Sequence, residues 1–253
     1  MPKSITFVGN GKMALALAKG LCETHTIEVI GRSMSTMENF ERALKTPVKK
    51  TLYADADITN KTVILCVKPS NLAEVAPLLK GTAQTLYSVL AGTPLASLRT
   101  IHANNYCRAM PNLAAEVGAS MTSLVGDSTI SANAITLFSS IGSTLWLGSE
   151  KELDIATALA GSGPAYLALI AEALCDGAVR EGLKRDDAMV LMRGLFDGFA
   201  KLIQTVHPAL LKDNVMSPGG TTAAGYGAME KGKVREGCME AIRAAHDRAK
   251  GMK

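Results

Sequence analysis

Two glycine-rich turns in this chain have residue types and spacings that could do chemistry. Residues 9–14 read GNGKMA, a G-x-G-x-x-A pattern directly after the short apolar run ITFV. Glycines at these places allow a tight turn and let the backbone approach a pyrophosphate, while the start of the following helix attracts negative charge. The pattern therefore predicts a dinucleotide site whose contacts are Gly9, Asn10, Gly11, Lys12 and Met13.

The second turn lies near the C-terminal end, where residues 214–230 read NVMSPGGTTAAGYGAME. It has two interpretations. In the first, Pro218 and the glycines make an ordinary turn, and Thr221 or Thr222 caps the next helix. In the second, the helix start binds a small carboxylate through its free N–H groups, its dipole and the nearby hydroxyls. The turn alone does not decide between them.

The residues after the second predicted strand indicate which dinucleotide binds. Sheets that bind NAD usually have Asp or Glu there, about twenty residues past the glycines, for the ribose hydroxyls. This chain has Gly31-Arg32-Ser33 instead. A carboxylate would repel a 2′-phosphate, whereas a guanidinium and a hydroxyl can bind it. We therefore expect NADPH as the cofactor, with weaker use of NADH, although a solvated surface arginine would give the same sequence.

Two further strands are expected to end beside the first turn, because the carboxyl ends of parallel strands meet at one edge of a sheet. They end at Val67-Lys68-Pro69 and at Ala91-Gly92. Lys68 would contact a ribose or a phosphate, or be an exposed loop lysine. Ala91 and Gly92 are small enough for a nicotinamide ring to approach, but a glycine is also ordinary where a strand meets a turn.

Hydrophobic periodicity places these turns in an α/β chain with a helical second half. Short apolar or β-branched runs alternate with helical patterns as far as STLWLG, and TVILCVKP is apolar almost throughout, as strands buried on both faces of a parallel sheet are. From Gly148 onward only helical patterns remain, over residues 150–160, 164–182, 186–206, 221–231 and 234–250. We predict a Rossmann-type sheet domain over residues 1–148 and an all-helical domain over residues 149–253.

Composition and charge argue against several classes of protein. Of the 253 residues, 47% are hydrophobic and 20% are charged, as in globular proteins, and the net charge of +4 comes without a basic stripe, so nucleic acid is not expected. Five scattered cysteines indicate reduced thiols in the cytoplasm, and four separate histidines lack metal-ligand spacing, so no metal is expected. ITFV is too short for a signal peptide, and Gly, Pro, Glu and Asp interrupt residues 159–178, which predicts a buried helix and not a membrane span.

Several stretches, in order along nearly the whole chain, resemble the pyrroline-5-carboxylate reductase family. FVGNGKMA is similar to the family's nucleotide loop, ILCVKPS to its fourth-strand motif, and MPNLAAEVG to its M-P-N segment. The most specific similarities are ALAGSGPAYLALIAEAL and the long stretch NVMSPGGTTAAGYGAMEKGKVREGCMEAI.

The resemblance implies a fold, a reaction and an assembly. The fold is a Rossmann domain followed by a helical domain that interdigitates with a partner subunit, with the active site at the homodimer interface. The reaction is the NAD(P)H-dependent reduction of 1-pyrroline-5-carboxylate, a cyclic imine, to L-proline, the last step of proline biosynthesis. Some members assemble dimers into larger rings, and no ring contact can be read from this sequence.

The resemblance also assigns the second turn to the substrate. The N–H groups from Gly219 to Thr222 would bind its carboxylate, and the Thr222 hydroxyl, the implied catalytic group, would lie near the imine nitrogen. The turn Gly161-Ser162-Gly163 would support the pocket. The full set of implied substrate-binding residues is Asn214, Ser217, Gly219, Gly220, Thr221 and Thr222. A protonated imine already accepts hydride, so a strong base on the protein is not needed.

The chain departs from the family pattern at two places. Many members have an asparagine near the adenosine ribose where this chain has Tyr53, which could stack beside adenine. An acidic residue commonly stands two places before the His-Pro pair, where this chain has Thr205. Two other functions remain open at this point: a reductase of a different imine or small ketone, and a nucleotide sensor without catalysis that uses its helical half as a partner surface.

Overall fold

A computed structural model describes residues 3–250, and the chain divides into two compact units. The first unit is Met1–Pro164 together with Ala244–Lys253, and the second is Ala165–Arg243. The predicted domain boundary after residue 148 follows the last strand, whereas the compact units divide after Pro164. That boundary therefore stays a prediction.

The first unit contains one sheet of eight strands with helices between them. In chain order the strands are β1 Lys3–Val8, β2 His25–Gly31, β3 Val48–Leu52, β4 Thr62–Leu65, β5 Thr85–Ser88, β6 Tyr106–Met110, β7 Ser120–Gly126 and β8 Gly142–Trp146. The helices are α1 Lys12–Leu21, α2 Met34–Leu44, α3 Leu72–Val75, α4 Leu95–Leu98, α5 Ser131–Phe138 and α6 Glu150–Ala156, followed by a π-helical turn, Thr157–Gly161.

The strand order is β3-β2-β1-β4-β5-β6-β7-β8, and the first six of these strands run parallel. This is the doubly wound order of dinucleotide-binding sheets. Strands β2 and β3 are added on one side of β1, and β4 to β6 are added on the other side. The predicted Rossmann-type fold is confirmed. The carboxyl ends of β1 to β6 consequently lie along one edge of the sheet.

Strand β7 departs from the parallel pattern, since it pairs antiparallel with β6 and parallel with β8. Its connection from β6 is short and contains only a 3₁₀ turn, Leu113–Val117. A parallel crossover needs a dozen or more residues, usually with a helix, so this link returns the chain in the opposite direction.

Apolar side chains fill both faces of the sheet. In β1, Phe7 packs with α1, α2 and α5 residues on one face, while Val8 belongs to the cluster on the other face, with Leu65 and Leu98. Successive strand residues point to opposite faces, so a strand covered on both sides is apolar throughout. This explains the unbroken apolar runs of the sequence.

Strand β2 buries a charged side chain in this sheet, the carboxylate of Glu28. Its side chain is 4% exposed and accepts hydrogen bonds from Lys61 at 2.7 Å and Thr6 at 2.9 Å, with Lys49 at 3.0 Å. Burial alone would raise the pKa of Glu28, but the bonds from the two lysines and the threonine outweigh it and lower the pKa. The charged carboxylate thus links β1, β2, β3 and the start of β4.

The second unit is helical. Its elements are α7 Gly163–Arg180, which begins at the end of the first unit, α8 Arg185–Leu202, α9 Pro208–Val215, α10 Thr221–Lys231 and α11 Val234–Lys250, which ends in the first unit. Helix α9 was not predicted. Its start has a recognisable signal, because Pro208 occupies the first turn and the His207 ring accepts a hydrogen bond from the Ala209 N–H at 3.2 Å.

The helices of the second unit bury few of their apolar side chains. Among the described residues of this unit, Cys175 and Ala188 are the buried hydrophobic ones. Leu169, Val190 and Leu191 are 66%, 66% and 63% exposed. Residues 159–178 form helical structure as predicted, in the π-helical turn and α7, and within this single chain little of their apolar surface is buried.

Candidate active site

The nucleotide turn has the backbone that its glycines predict. Gly9 has φ +100°, and a Cβ on it would lie 2.9 Å from the carbonyl oxygen of Cys66. Both the conformation and the space therefore require glycine. Gly11 is the N-cap of α1 with φ −78°, and within the described chain no atom lies within 4 Å of a Cβ built on it. The space above Gly11 is open to a ligand.

The first turn of α1 can bind an anion. Within residues 3–250 no side chain caps α1, and its first turn contains no acidic residue. The first N–H groups of a helix have no partner inside the helix, so they can donate to phosphate oxygens. Lys12 is exposed at this helix start, Met13 packs partly against the core, and Asn10 is half-buried beside Gly31.

The end of β2 carries the two residues expected at a 2′-phosphate. Arg32 is 56% exposed, and its Nη2 donates to Glu74 Oε2 at 2.9 Å. Ser33 is the N-cap of α2, and its hydroxyl is 2.9 Å from that of Ser35. The first turn of α2 contains no acidic residue. Sequence reasoning missed Glu74, because it lies 42 residues from Arg32 along the chain.

Tyr53 lies beside this ion pair. It begins a 3₁₀ turn directly after β3, and its ring packs partly against the cluster that contains Val8 and Ile30. Burial raises the pKa of Tyr53, the charge of Arg32 lowers it, and the charge of Glu74 raises it. Tyr53 therefore lies close enough to Arg32 and Glu74 for both charges to act on its hydroxyl.

The remaining predicted cofactor residues lie after β4 and β5. Val67 is half-buried, Lys68 is exposed, and Pro69 begins a 3₁₀ turn that leads into α3. Ala91 is half-buried, and Gly92 is buried with φ +66°. The parallel ladder continues past the strands, since the Cys66 N–H donates to Val8 O at 2.8 Å and the Val89 N–H to Leu65 O at 3.1 Å. The sheet thus brings all predicted cofactor residues to one edge.

A buried arginine that sequence reasoning did not single out lies in the middle of β6. Arg108 is 1% exposed and donates to Glu150 Oε1 at 2.8 Å and to Asp154 Oδ1 at 3.2 Å. Glu150 also accepts the Leu95 N–H at 2.9 Å. These bonds hold α6 against the sheet. The signal was an arginine in the otherwise strand-like run NYCRAMP, but its partners are too distant in sequence to be read from it.

The M-P-N segment after β6 holds the π-helical turn in place. Asn112 Nδ2 donates to Ala160 O at 3.0 Å, and its Oδ1 accepts the Ala114 N–H at 3.1 Å. Ala160 belongs to the π turn, which ends directly before Ser162 and Gly163. Single π turns inside helices occur frequently at functional sites. Asn112 is thus positioned to fix the turn that the resemblance places beside the substrate.

The second glycine turn forms a type II turn followed by a helix. The Gly220 N–H donates to Ser217 O at 3.0 Å, with Pro218 and Gly219 as the central residues and Gly219 at φ +70°. No other described atom lies within 4 Å of a Cβ built on Gly219, so its backbone angle, and not crowding, favours glycine there.

The helix after this turn is not capped by a threonine. Gly220 is the N-cap of α10, within the part of the chain that the structure describes no side chain caps it, and its first turn contains no acidic residue. The interpretation that Thr221 or Thr222 caps the helix is therefore wrong. Both threonines and Asn214 are exposed. The first N–H groups of α10 remain available to an anion.

Two open clefts of the first unit lie at the opposite edge of the sheet from the cofactor residues. One, of about 740 Å³, is lined by residues at strand starts, among them Thr62 and Thr85, and the other, of about 530 Å³, by His25 and Val48 among others. Ligands of parallel sheets bind beyond the carboxyl ends of the strands, whereas these two clefts lie at the strand starts. Their volumes therefore do not identify them as the cofactor site. Among residues 3–250 no group of three or more His, Cys, Asp or Glu side chains could hold a metal ion.

Among the residues that the structure describes, one helical stretch, Glu150–Arg180, is long and apolar enough to cross a membrane by length and composition. Only 11% of its most apolar window is buried in this chain. Packing against a helix of another subunit would cover the same apolar face as a membrane would. Length and composition therefore do not distinguish a membrane span from a subunit interface.

Family models match both halves of the chain. The one described as pyrroline-5-carboxylate reductase dimerisation matches residues 150–252, and the one described as NADP oxidoreductase coenzyme F420-dependent matches residues 4–92. A pyrroline-5-carboxylate reductase of Helicobacter pylori (strain J99) is 33% identical over 258 residues, which cover 98% of this chain and 98% of the relative.

Two solved structures are similar over nearly their whole length. The 1-pyrroline-5-carboxylate reductase from Streptococcus pyogenes has a TM-score of 0.87 and 32% identity, with 98% of each chain covered. The pyrroline carboxylate reductase of Plasmodium falciparum, solved with NADP bound, has a TM-score of 0.80 and 27% identity, with 99% of this chain and 98% of that chain covered.

Proposed function

We infer the function from one premise, that this chain belongs to the pyrroline-5-carboxylate reductase family. The protein is an oxidoreductase that reduces 1-pyrroline-5-carboxylate to L-proline with NADPH, by hydride transfer to the cyclic imine carbon. One observation supports this beyond the family. Helices α1 and α10 each have a glycine as N-cap and no side-chain cap among the described residues, so each could bind one of the two anionic ligands.

The residues present fit NADPH. A Cβ on Gly9 would meet the Cys66 carbonyl, while the space beside Gly11 is open, as close approach of a pyrophosphate requires. We propose that the N–H groups at the start of α1 bind the pyrophosphate and that Arg32 and Ser33 bind the 2′-phosphate. The remaining proposed contacts are Asn10, Lys12, Met13, Val67, Lys68, Pro69, Ala91 and Gly92, with Tyr53 beside the adenosine. When bound, NADPH supplies the hydride.

We propose that the second glycine turn binds the substrate. The N–H groups from Gly219 to Thr222 hold the carboxylate, and Asn214 and Ser217 support them. The Thr222 hydroxyl hydrogen-bonds the ring nitrogen. A threonine hydroxyl is too weak an acid to protonate the imine, so the imine arrives protonated or takes its proton from solvent. The protein's task is then to orient the ring carbon and to fix the carboxylate.

Two substitutions at one position test the role of Thr222. Thr222→Val removes the hydroxyl at nearly constant volume, and Thr222→Ser keeps it. The loss of one hydrogen bond of about 1 kcal/mol corresponds to about a fivefold loss of turnover, so Thr222→Val is expected to lose about that much and Thr222→Ser much less. A Thr222→Val enzyme that loses less than about threefold would exclude a direct role.

We also propose that the protein is a cytoplasmic homodimer with the active site at the interface. The dimerisation-family match over residues 150–252 and the exposed apolar faces of the second unit support the dimer. Five free cysteines are compatible with a reducing compartment. Light scattering across a dilution series tests the assembly, and a monomer at micromolar concentration that retains full activity would contradict it.

A further inference from the structure

The ion pair between Arg32 and Glu74 spans the place where the adenosine end of the cofactor is expected. Arg32 follows β2, Glu74 lies in α3 after β4, and β1, which leads into the nucleotide turn, pairs with both of these strands. The two charged groups therefore meet across the carboxyl end of β1. Tyr53 follows β3 and is near enough to feel both charges, so the pair is close to the residue that we propose beside the adenosine.

Glu74 acts on the same guanidinium that the 2′-phosphate needs. With its carboxylate 2.9 Å from Arg32 Nη2, any phosphate on this guanidinium would lie only a few ångströms from a second negative charge. Like charges at this separation repel even in water, and the carboxylate also occupies one of the arginine's donors. NADH has a 2′-hydroxyl at this position. This hydroxyl can donate a hydrogen bond to a carboxylate, as it does in NAD-binding sheets.

Resting on the proposed function, we propose that Glu74 is a specificity-determining residue that lowers the preference of the site for NADPH over NADH by competing with the 2′-phosphate for Arg32. We expect Glu74 to compete with the phosphate for Arg32 and not to orient Arg32 for it, because no donor other than Arg32 fixes the Glu74 carboxylate among the described residues. Its side chain is 61% exposed, and Arg32 is its hydrogen-bond partner among residues 3–250.

The experiment is a calorimetric titration of NADP⁺ and of NAD⁺ into the wild-type protein and into Glu74→Gln, Glu38→Gln and Arg32→Gln. Glu38 is the matched control, since it is an exposed acid on α2 and its substitution changes the net charge equally. We expect Glu74→Gln to bind NADP⁺ about three- to tenfold more tightly, with less than about a twofold change for NAD⁺. The gain shrinks with added salt, which screens exposed charges, and Glu38→Gln changes both affinities by less than about twofold.

Each contrary result has its own meaning. Weaker NADP⁺ binding by Glu74→Gln would show that Glu74 orients Arg32 and would overturn the inference. An unchanged ratio of the two affinities in Glu74→Gln, with Arg32→Gln still losing NADP⁺ selectively, would overturn the inference and leave the proposed function intact. Failure of the wild-type protein to bind either nucleotide would overturn the proposed function and the inference with it.

Discussion

Replacing Gly11 by alanine should separate cofactor binding from folding. Gly11 has φ −78°, which alanine adopts freely, and no described atom lies within 4 Å of the added methyl group. Alanine is a poorer N-cap than glycine, but it also restricts the unfolded chain, which favours folding by about 0.4–1 kcal/mol. We therefore expect the free energy of unfolding to change by less than about 1 kcal/mol.

The same methyl group would stand where a pyrophosphate approaches the start of α1. If it weakens two charge-assisted hydrogen bonds, the loss is about 2–3 kcal/mol, or roughly 30- to 150-fold in the dissociation constant for NADPH. Binding should therefore be lost from a protein of normal stability. Isothermal titration with NADPH and thermal unfolding of the apoprotein measure the two quantities separately.

Gly9→Ala is the matched control, because it is expected to lower the stability of the folded protein, which Gly11→Ala should leave nearly unchanged. Its φ of +100° and the 2.9 Å approach to the Cys66 carbonyl should cost about 3 kcal/mol of stability. For a chain of this size that lowers the melting temperature by roughly 6–12 °C. A Gly11→Ala protein that binds NADPH as tightly as the wild type would refute the assignment of this turn, and one that melts as early as Gly9→Ala would refute the stated geometry.

Three further substitutions test other parts of the structure. Glu28→Gln should lose about 2 kcal/mol of stability at pH 7, where the carboxylate is charged. Because the folded pKa of Glu28 is lowered, the deficit should begin to shrink as the pH falls below the ordinary glutamate range and should vanish only below the folded pKa; a deficit independent of pH would contradict the charged pairs with Lys61 and Lys49. Asn112→Ala should lower kcat more than it lowers the NADPH affinity, because it frees the π turn at Ala160, and equal losses in both would contradict this. Arg108→Met should unfold the protein or destabilise it by about 3 kcal/mol or more in chemical denaturation, since two carboxylates lose their bonds to the buried guanidinium, and a neutral effect would contradict this role of Arg108.

Local patterns were sufficient to predict the sheet half and its glycine turns. The φ of +100° at Gly9 is a local property of the turn, and the alternation of strands and helices follows from burial on both faces of the sheet. The close approach of Gly9 to the Cys66 carbonyl joins distant segments, and the G-x-G spacing indicated it only through the pattern of known dinucleotide sites. The Pro218-Gly219 turn is local in the same sense. In contrast, whether a threonine caps α10 depends on small differences in rotamer and backbone angle that composition does not encode.

Contacts between distant segments could not be read from one sequence. The partners of Arg32 and Arg108 lie 42 or more residues away, and many exposed acids could have filled either place. Residues of α7 and α8 could be identified as helical, but the exposure of their apolar side chains in this chain could not be read from their periodicity. The reversed direction of β7 was not predicted either, because it depends on the short link from β6, which contains a 3₁₀ turn and no crossover helix.

The most direct measurement is the oxidation of NADPH, and separately of NADH, by the purified protein with racemic 1-pyrroline-5-carboxylate, scored by the L-proline formed. The account predicts rapid oxidation with proline as the product, faster with NADPH than with NADH. Cofactor binding without any turnover on this imine would contradict the central claim, and would favour a sensor or a reductase of another imine on the same scaffold.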